Sequence, residues 1–325
     1  MKDQIQFANV DNISRTKAYE QFGRHYPEIR WAALAGMVSR NAGWNMTDLT
    51  TTPFRTVLDA ATRRWIGWIY ERANWLIFAD AYPQLLVYQQ TVQKRRDCFD
   101  MLKSFGVSSF MQREWRRFMV EQDKNRLMTA LIINEQFVVQ DRLFDARKME
   151  QFFHSAFYNI QEFAHFSHVI MPGLNQTIYG ENVTSFANPV ARIQLGKRLA
   201  KLLYDPKLRE QFFAFTKKTE PTGSRRDYNS NEDALPLRLC FPRCHHRASN
   251  MVDWYTKKKP NEIERLFKLI RMKPRRGEGR IAVTKAEIQL LSWIEGKQKI
   301  SLGTKLIFYL EVTLQDDLVH QVFCR

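Results

Sequence analysis

The feature that most constrains this chain is the stretch 62–93. There Trp65, Trp68, Ile69, Trp75, Leu76 and Phe78 dominate a long helical pattern whose one interruption is Pro83, which would break or kink it. Helical signals recur on both sides. Pro27 reads as a first-turn proline opening a helix through Trp31, Leu34, Ala35 and Val38. Residues 113–144 place Leu127, Leu131 and Val138 at helical spacing, and 148–170 read as a helix stopped by Pro172-Gly173. Asn188-Pro189 supplies a cap followed by a first-turn proline, and Asp205-Pro206 repeats the device for a short helix to about Phe215. Asn261 with Glu264, and Thr284 with Glu287, fit capping boxes of two later helices.

The implied fold is mainly α, an irregular multi-helix bundle. Its one candidate β element is minor and near the C-terminus, where 305–314 could be strand or helix. Polar turn formers at 219–233 divide the chain. We expect a helical core over 1–218, a loop-rich connection over 219–253, and a basic helical C-terminal part over 254–325 that packs on the core.

With 44% hydrophobic residues, the 325-residue chain can bury a large core. No apolar run reaches the ~18–20 residues of a spanning helix. The N-terminal residues lack a signal-peptide pattern. Four cysteines, Cys98, Cys240, Cys244 and Cys324, are too few for a disulfide framework in a chain this long, so a reducing cytoplasm is expected. Cys240-x3-Cys244-His245-His246 has some zinc-ligand spacing but no matching second pair, and neither metal nor cofactor is expected.

A net charge of +16 favours an acidic partner. The charge is densest over 254–285, with 11 basic and 3 acidic side chains. Lys257, Lys258, Lys259, Arg271, Lys273, Arg275 and Arg276 would neutralise phosphates, and Trp254 and Tyr255 would stack on bases, if nucleic acid were that partner. No recognised nucleic-acid-binding module accompanies them, and a solvated basic face explains the same composition.

Residues 149–191 contain no lysine or arginine, which marks them as an enclosed part of the fold. Within them His154, Tyr158, Gln161, His165 and His168 recur at helical spacing, inside an arc of about 80°. They read either as a polar surface or as one wall of an internal pocket suited to proton transfer or polar-ligand binding. Glu162 and His165 form a Glu-x-x-His unit, but a di-iron site needs a second one, and none is present. Arg40, Asn41, Glu71, Asn74, Asp80 and Glu135 interrupt apolar helical runs. Arg40, Glu71 and Glu135 join the candidate pocket, with Arg40 pairing Glu71 as the expected ion pair.

Three strings resemble a known family. They are Ser39-Arg40-Asn41-Ala42-Gly43-Trp44-Asn45-Met46-Thr47-Asp48-Leu49, then Glu71-Arg72-Ala73-Asn74-Trp75-Leu76-Ile77-Phe78 with Asp80-Ala81-Tyr82-Pro83-Gln84-Leu85, and Pro221-Thr222-Gly223-Ser224-Arg225-Arg226-Asp227-Tyr228. Together they resemble the YppC-like proteins of bacilli, a domain-of-unknown-function family, over about residues 10–255. The resemblance implies a bacterial source and assigns no catalytic residue. No nucleophile triad, phosphate-binding glycine loop or dinucleotide fingerprint is visible. The first functional expectation is therefore a non-catalytic intracellular protein binding an acidic partner. The alternative is an enzyme or small-ligand binder with an internal polar pocket.

Overall fold

A computed structural model describes residues 1–144, 168–173, 178–182, 188–228, 234–244, 246 and 253–268. The helices are α1 (Lys2–Ala8), α2 (Asn12–His25), α3 (Arg30–Asp48), α4 (Thr52–Val57), α5 (Ala60–Lys94), α6 (Ser109–Glu121), α7 (Lys124–Val139), α8 (Pro189–Leu203), α9 (Arg209–Lys218), α10 (Leu237–Cys240) and α11 (Pro260–Lys268). Short tight helical turns cover Phe99–Phe105, Arg225–Asp227 and Trp254–Lys257, and a π-helical turn, Gln140–Phe144, prolongs α7. The chain is mainly α, as expected. Among the described residues the β structure is an antiparallel pair of β1 (His168–Pro172) and β2 (Ile178–Asn182), mid-chain, with Ile170 opposite Gly180.

Local chemistry explains most boundaries. Asp59 caps α5 by accepting from the Thr62 N–H, and the helix continues through Pro83 as one element of 35 residues, about 50 Å long. Asn188 caps α8 by accepting from the Val190 and Ala191 N–H groups, with Pro189 in the first turn.

Several expected boundaries moved. The helix expected over 113–144 is two, because Gln122 turns left-handed at φ 55° and Asp123 accepts from the Asn125 and Arg126 N–H groups to start α7. Pro27 lies in the turn before α3, not in its first turn. The helix expected from Asp205-Pro206 starts at Arg209, while the Asp205 carboxylate accepts from the Lys207 N–H in the preceding turn. Asn261 falls inside α11, which begins at Pro260. The helix expected over 148–170 does not include its last residues, since 168–170 belong to β1; residues 148–167 lie outside the described residues. So do the Thr284 box and 305–314.

α5 and α7 form the centre. α7 packs against α3, α5, α6, α8 and α11, and α2 lies along α3. Leu76, Phe78, Leu85 and Val87 of α5 and Ala130, Leu131, Ile132 and Ile133 of α7 are almost fully enclosed. Each large apolar side chain buried there contributes roughly 1.5–3 kcal/mol.

Two of the strings singled out in the sequence meet. The chain at 221–228 crosses α3 where Gly43 lets Gly223 approach: a methyl group on Gly43 would lie 3.1 Å from the Gly223 Cα. Gly223 itself sits at φ +69°, a left-handed conformation that suits glycine. Trp44 Nε1 donates to Asp227 at 3.2 Å, Arg40 lies 3.6 Å from the same carboxylate, and Arg225 pairs with Asp48. On the same helix, the Asn41 amide spans the Ile170 backbone, accepting its N–H at 2.6 Å and donating to its carbonyl at 2.8 Å. The strand pair is thereby fastened to α3.

Candidate functional site

The expected Arg40–Glu71 pair does not form. Arg40 is buried and engages Glu20 at 2.9 Å, the Thr219 carbonyl at 2.7 Å, and Asp227. Glu71 instead meets Arg15 at 2.5 Å. Arg15 is fully enclosed and also donates to Asn9 and Asn12. Arg40 is taken up by Glu20, Thr219 and Asp227, while Arg15 of α2, which packs against α5, reaches Glu71. The ring of His246 approaches the other Glu71 oxygen at 3.6 Å and packs edge-on against Trp75. Among the described residues no group of three histidine, cysteine or carboxylate side chains is placed to hold a metal.

Of the stripe His154, Tyr158, Gln161, His165 and His168, with Glu162, only His168 is described, and it stands on β1. It therefore does not continue a helical stripe; the other members lie outside the described residues. The described middle of the lysine- and arginine-free segment, Val169 to Met171, is buried.

Glu135 leads to a different polar interior, built where α5 and α7 cross. Asp80 of α5 is buried. Its Oδ2 accepts from Asn134 Nδ2 at 2.6 Å and from Gln84 Nε2 at 2.7 Å. Each donor is itself held: Trp115 Nε1 donates to Gln84 at 2.9 Å, and Asn134 Oδ1 accepts from Ser108 at 2.7 Å and Trp254 at 2.9 Å. Asp80 Oδ1 is buried and has no hydrogen-bond partner among the described residues. Next along α7, Glu135 accepts from Trp31 Nε1 at 3.1 Å and from its neighbour Gln136 at 2.9 Å. Arg192 of α8 braces Gln136 through its side chain and carbonyl. The Tyr19 hydroxyl is also buried without a hydrogen-bond partner among the described residues. Tyr19 sits against Trp31 and Phe78, with ring centroids 5.4 and 5.0 Å apart.

Removal from water dominates the electrostatics. Burial pushes the Asp80 carboxyl up to about 6, against the charge of Arg142 and the two amide donors. Burial pushes Glu135 further, to about 8, against its two donors and Arg192, and the charge of Asp80 adds to the rise. Tyr19 is held well above the ordinary phenol range, first by burial and then by Glu135. At neutral pH this leaves Glu135 protonated and Asp80 mostly ionised. Two carboxyls with environments that separate their protonation can act as acid and base.

In the described part of the basic C-terminal segment the aromatic rings are turned inward, while Lys257 and Lys258 are exposed. Trp254 is buried, stacked on Phe137 at 4.6 Å and bonded to Asn134, so its ring has no open face for a base. Tyr255 stacks on Phe110 at 5.7 Å and lies under Arg113. Lys257 meets Asp141 at 2.5 Å, and Lys258 stands over Phe137. Lys259 is exposed. Arg271, Lys273, Arg275 and Arg276 lie outside the described residues.

Reading residue types alone had singled out Glu135 and noted Asp80, but missed Tyr19, Gln84 and Asn134. The available signal was weak: Asp80 and Gln84 share a helix face at a four-residue spacing.

Comparison with known proteins adds a family. The profile described as "Protein of unknown function (DUF2515)" matches residues 8–269. A relative from Bacillus subtilis (strain 168), "Uncharacterized protein YppC", is 41% identical over 259 residues, covering 78% of this chain and 81% of the relative. No solved structure matches.

Proposed function

We propose that this chain, which belongs to the DUF2515 family of proteins of unknown function, binds a small polar ligand at the Asp80–Glu135 interior and exchanges a proton with it. The observation that carries the reading is the pairing of two raised carboxyls with two buried polar atoms, Asp80 Oδ1 and Tyr19 Oη, that lack hydrogen-bond partners among the described residues. Such atoms are costly to bury, on the order of 1–3 kcal/mol each, and a ligand that satisfied them would recover that cost. Asp80 would accept from the ligand, and Glu135 would hold the proton to be delivered.

This is the internal-pocket alternative moved from the histidine stripe to the α5–α7 crossing. A bacterial, cytoplasmic setting belongs to the same reading. It is supported by the Bacillus subtilis relative and by the unpaired Cys98, Cys240 and Cys244. No helix among the described residues is long and apolar enough to cross a membrane.

Infrared difference spectra taken across a pH series test it. The expected result is a protonated-carboxyl band that persists at neutral pH and vanishes in Glu135→Gln. A thermal-shift screen of small polar compounds should then find stabilisation that Asp80→Asn abolishes. If both carboxyls ionise below about pH 5, as ordinary carboxylates do, the reading fails.

A further inference from the structure

A second feature lies at the other end of α5 and does not depend on the interior site. Arg64, Trp65, Trp68, Arg72 and Trp75 recur at three- and four-residue spacings, so their Cα atoms fall within an arc of about 100° on one helix face. Arg64 is exposed, and Trp65, Trp68, Arg72 and Trp75 are partly exposed. The Trp65 and Trp68 rings lie nearly parallel, 10° apart with centroids at 5.1 Å. Arg72 stands over Trp75 at 4.7 Å.

Arginines also gather beside this stretch of α5. Arg55, exposed on α4, and Arg64 both pull the Arg63 guanidinium below its ordinary value, after burial and against Asp59. Arg142, arriving from the end of α7, adds to burial in doing the same to Arg72. Arg63 has a structural task, donating to the Leu49 and Leu58 carbonyls where α3 and α4 end. Arg55 and Arg64 point their charge at solvent. Like charges gathered around flat aromatic rings are the arrangement that a polyanion with planar groups satisfies.

We propose that this face of α4 and α5 binds single-stranded nucleic acid, with Arg55 and Arg64 on phosphates and the Trp65–Trp68 pair as a stacking platform for a base. An anionic lipid surface shares the phosphate chemistry but fits less well. Bilayer insertion uses protruding apolar side chains, and the large apolar side chains most exposed among the described residues, Phe7, Val120 and Leu239, belong to α1, α6 and α10, not to this face. The half-buried, parallel indoles offer a flat platform for a base.

The test uses the full chain, titrated into a fluorescein-labelled oligothymidine, a labelled oligouridine and vesicles containing an anionic phospholipid, at several salt concentrations. The expected result is oligonucleotide binding that weakens as salt rises. Arg55→Glu with Arg64→Glu should lower the slope of log affinity against log salt by about 1.4 or more, the counterion contribution of two phosphate contacts on a single strand. Trp68→Leu keeps an apolar side chain against the core but removes the platform, and should weaken binding roughly tenfold. Circular dichroism melting of each variant separates lost binding from lost folding. Because Arg55 and Arg64 are exposed, the double variant should melt as the parent does. Binding to vesicles without binding to oligonucleotides would overturn the proposal. So would oligonucleotide binding that the double variant leaves unchanged, which would place it elsewhere on this basic chain.

Discussion

Replacing Glu135 with glutamine probes the polar interior through the pH dependence of stability. Burial raises this carboxyl from 4.5 to about 8, so between those values the native state keeps a proton that the unfolded chain has released. Its contribution to stability is therefore complete below the lower value, declines as pH rises through the window, and levels off above the upper one. At about 1.4 kcal/mol per tenfold, a rise of this size corresponds to a loss of roughly 5 kcal/mol, an upper figure because relaxation and water entry reduce it. Glutamine does not titrate. Its single carbonyl can still accept from Trp31 or from Gln136, but not from both, and the forfeited bond costs about 1 kcal/mol. The variant should thus be slightly less stable than the parent near pH 5 and several kcal/mol more stable near pH 9, with the two curves crossing. Urea unfolding followed by tryptophan fluorescence at each pH gives both curves. Parallel curves across the whole range would refute the argument that Glu135 is protonated in the fold at neutral pH.

Three further perturbations address packing elsewhere in the fold. Gly223→Ala places a methyl group 2.6 Å from the Leu237 Cβ at φ +69°, so thermal melting should show a loss of about 3 kcal/mol. Arg15→Met strands the Glu71 carboxylate among buried neighbours and should cost about 3–5 kcal/mol; adding Glu71→Gln should recover part of it in a double-mutant cycle. Asn41→Ala leaves the Ile170 N–H and carbonyl without that side chain's bonds. Stability should fall by about 2–4 kcal/mol, with faster hydrogen exchange at the Ile170 amide.

The helical class was legible because it rests on local chemistry. Apolar spacing along 62–93 and the Asn188-Pro189 cap act within one or two turns, and α5 and α8 followed them closely. Boundaries failed where a competing local device was overlooked. The Gln122-Asp123 break divides what apolar periodicity alone joins, and Pro27 serves a turn ahead of α3. Residues 168–170 end the helical pattern expected over 148–170 but pair as strand with 180–182, a partnership that local spacing does not encode.

What the sequence by itself determined is the helical frame of the long stretch at 62–93 and the presence of polar groups, Asp80 and Glu135 among them, in helices otherwise built for burial. Tertiary structure alone decided which of those groups meet. Arg15 rather than Arg40 reaches Glu71, and Trp254 enters the core to hold Asn134 instead of facing a base. The charge of Asp80 adds to the rise of Glu135 because α5 crosses α7 there. Helical spacing specifies a face, whereas the desolvation that raises a carboxyl depends on what the other helices bring against that face.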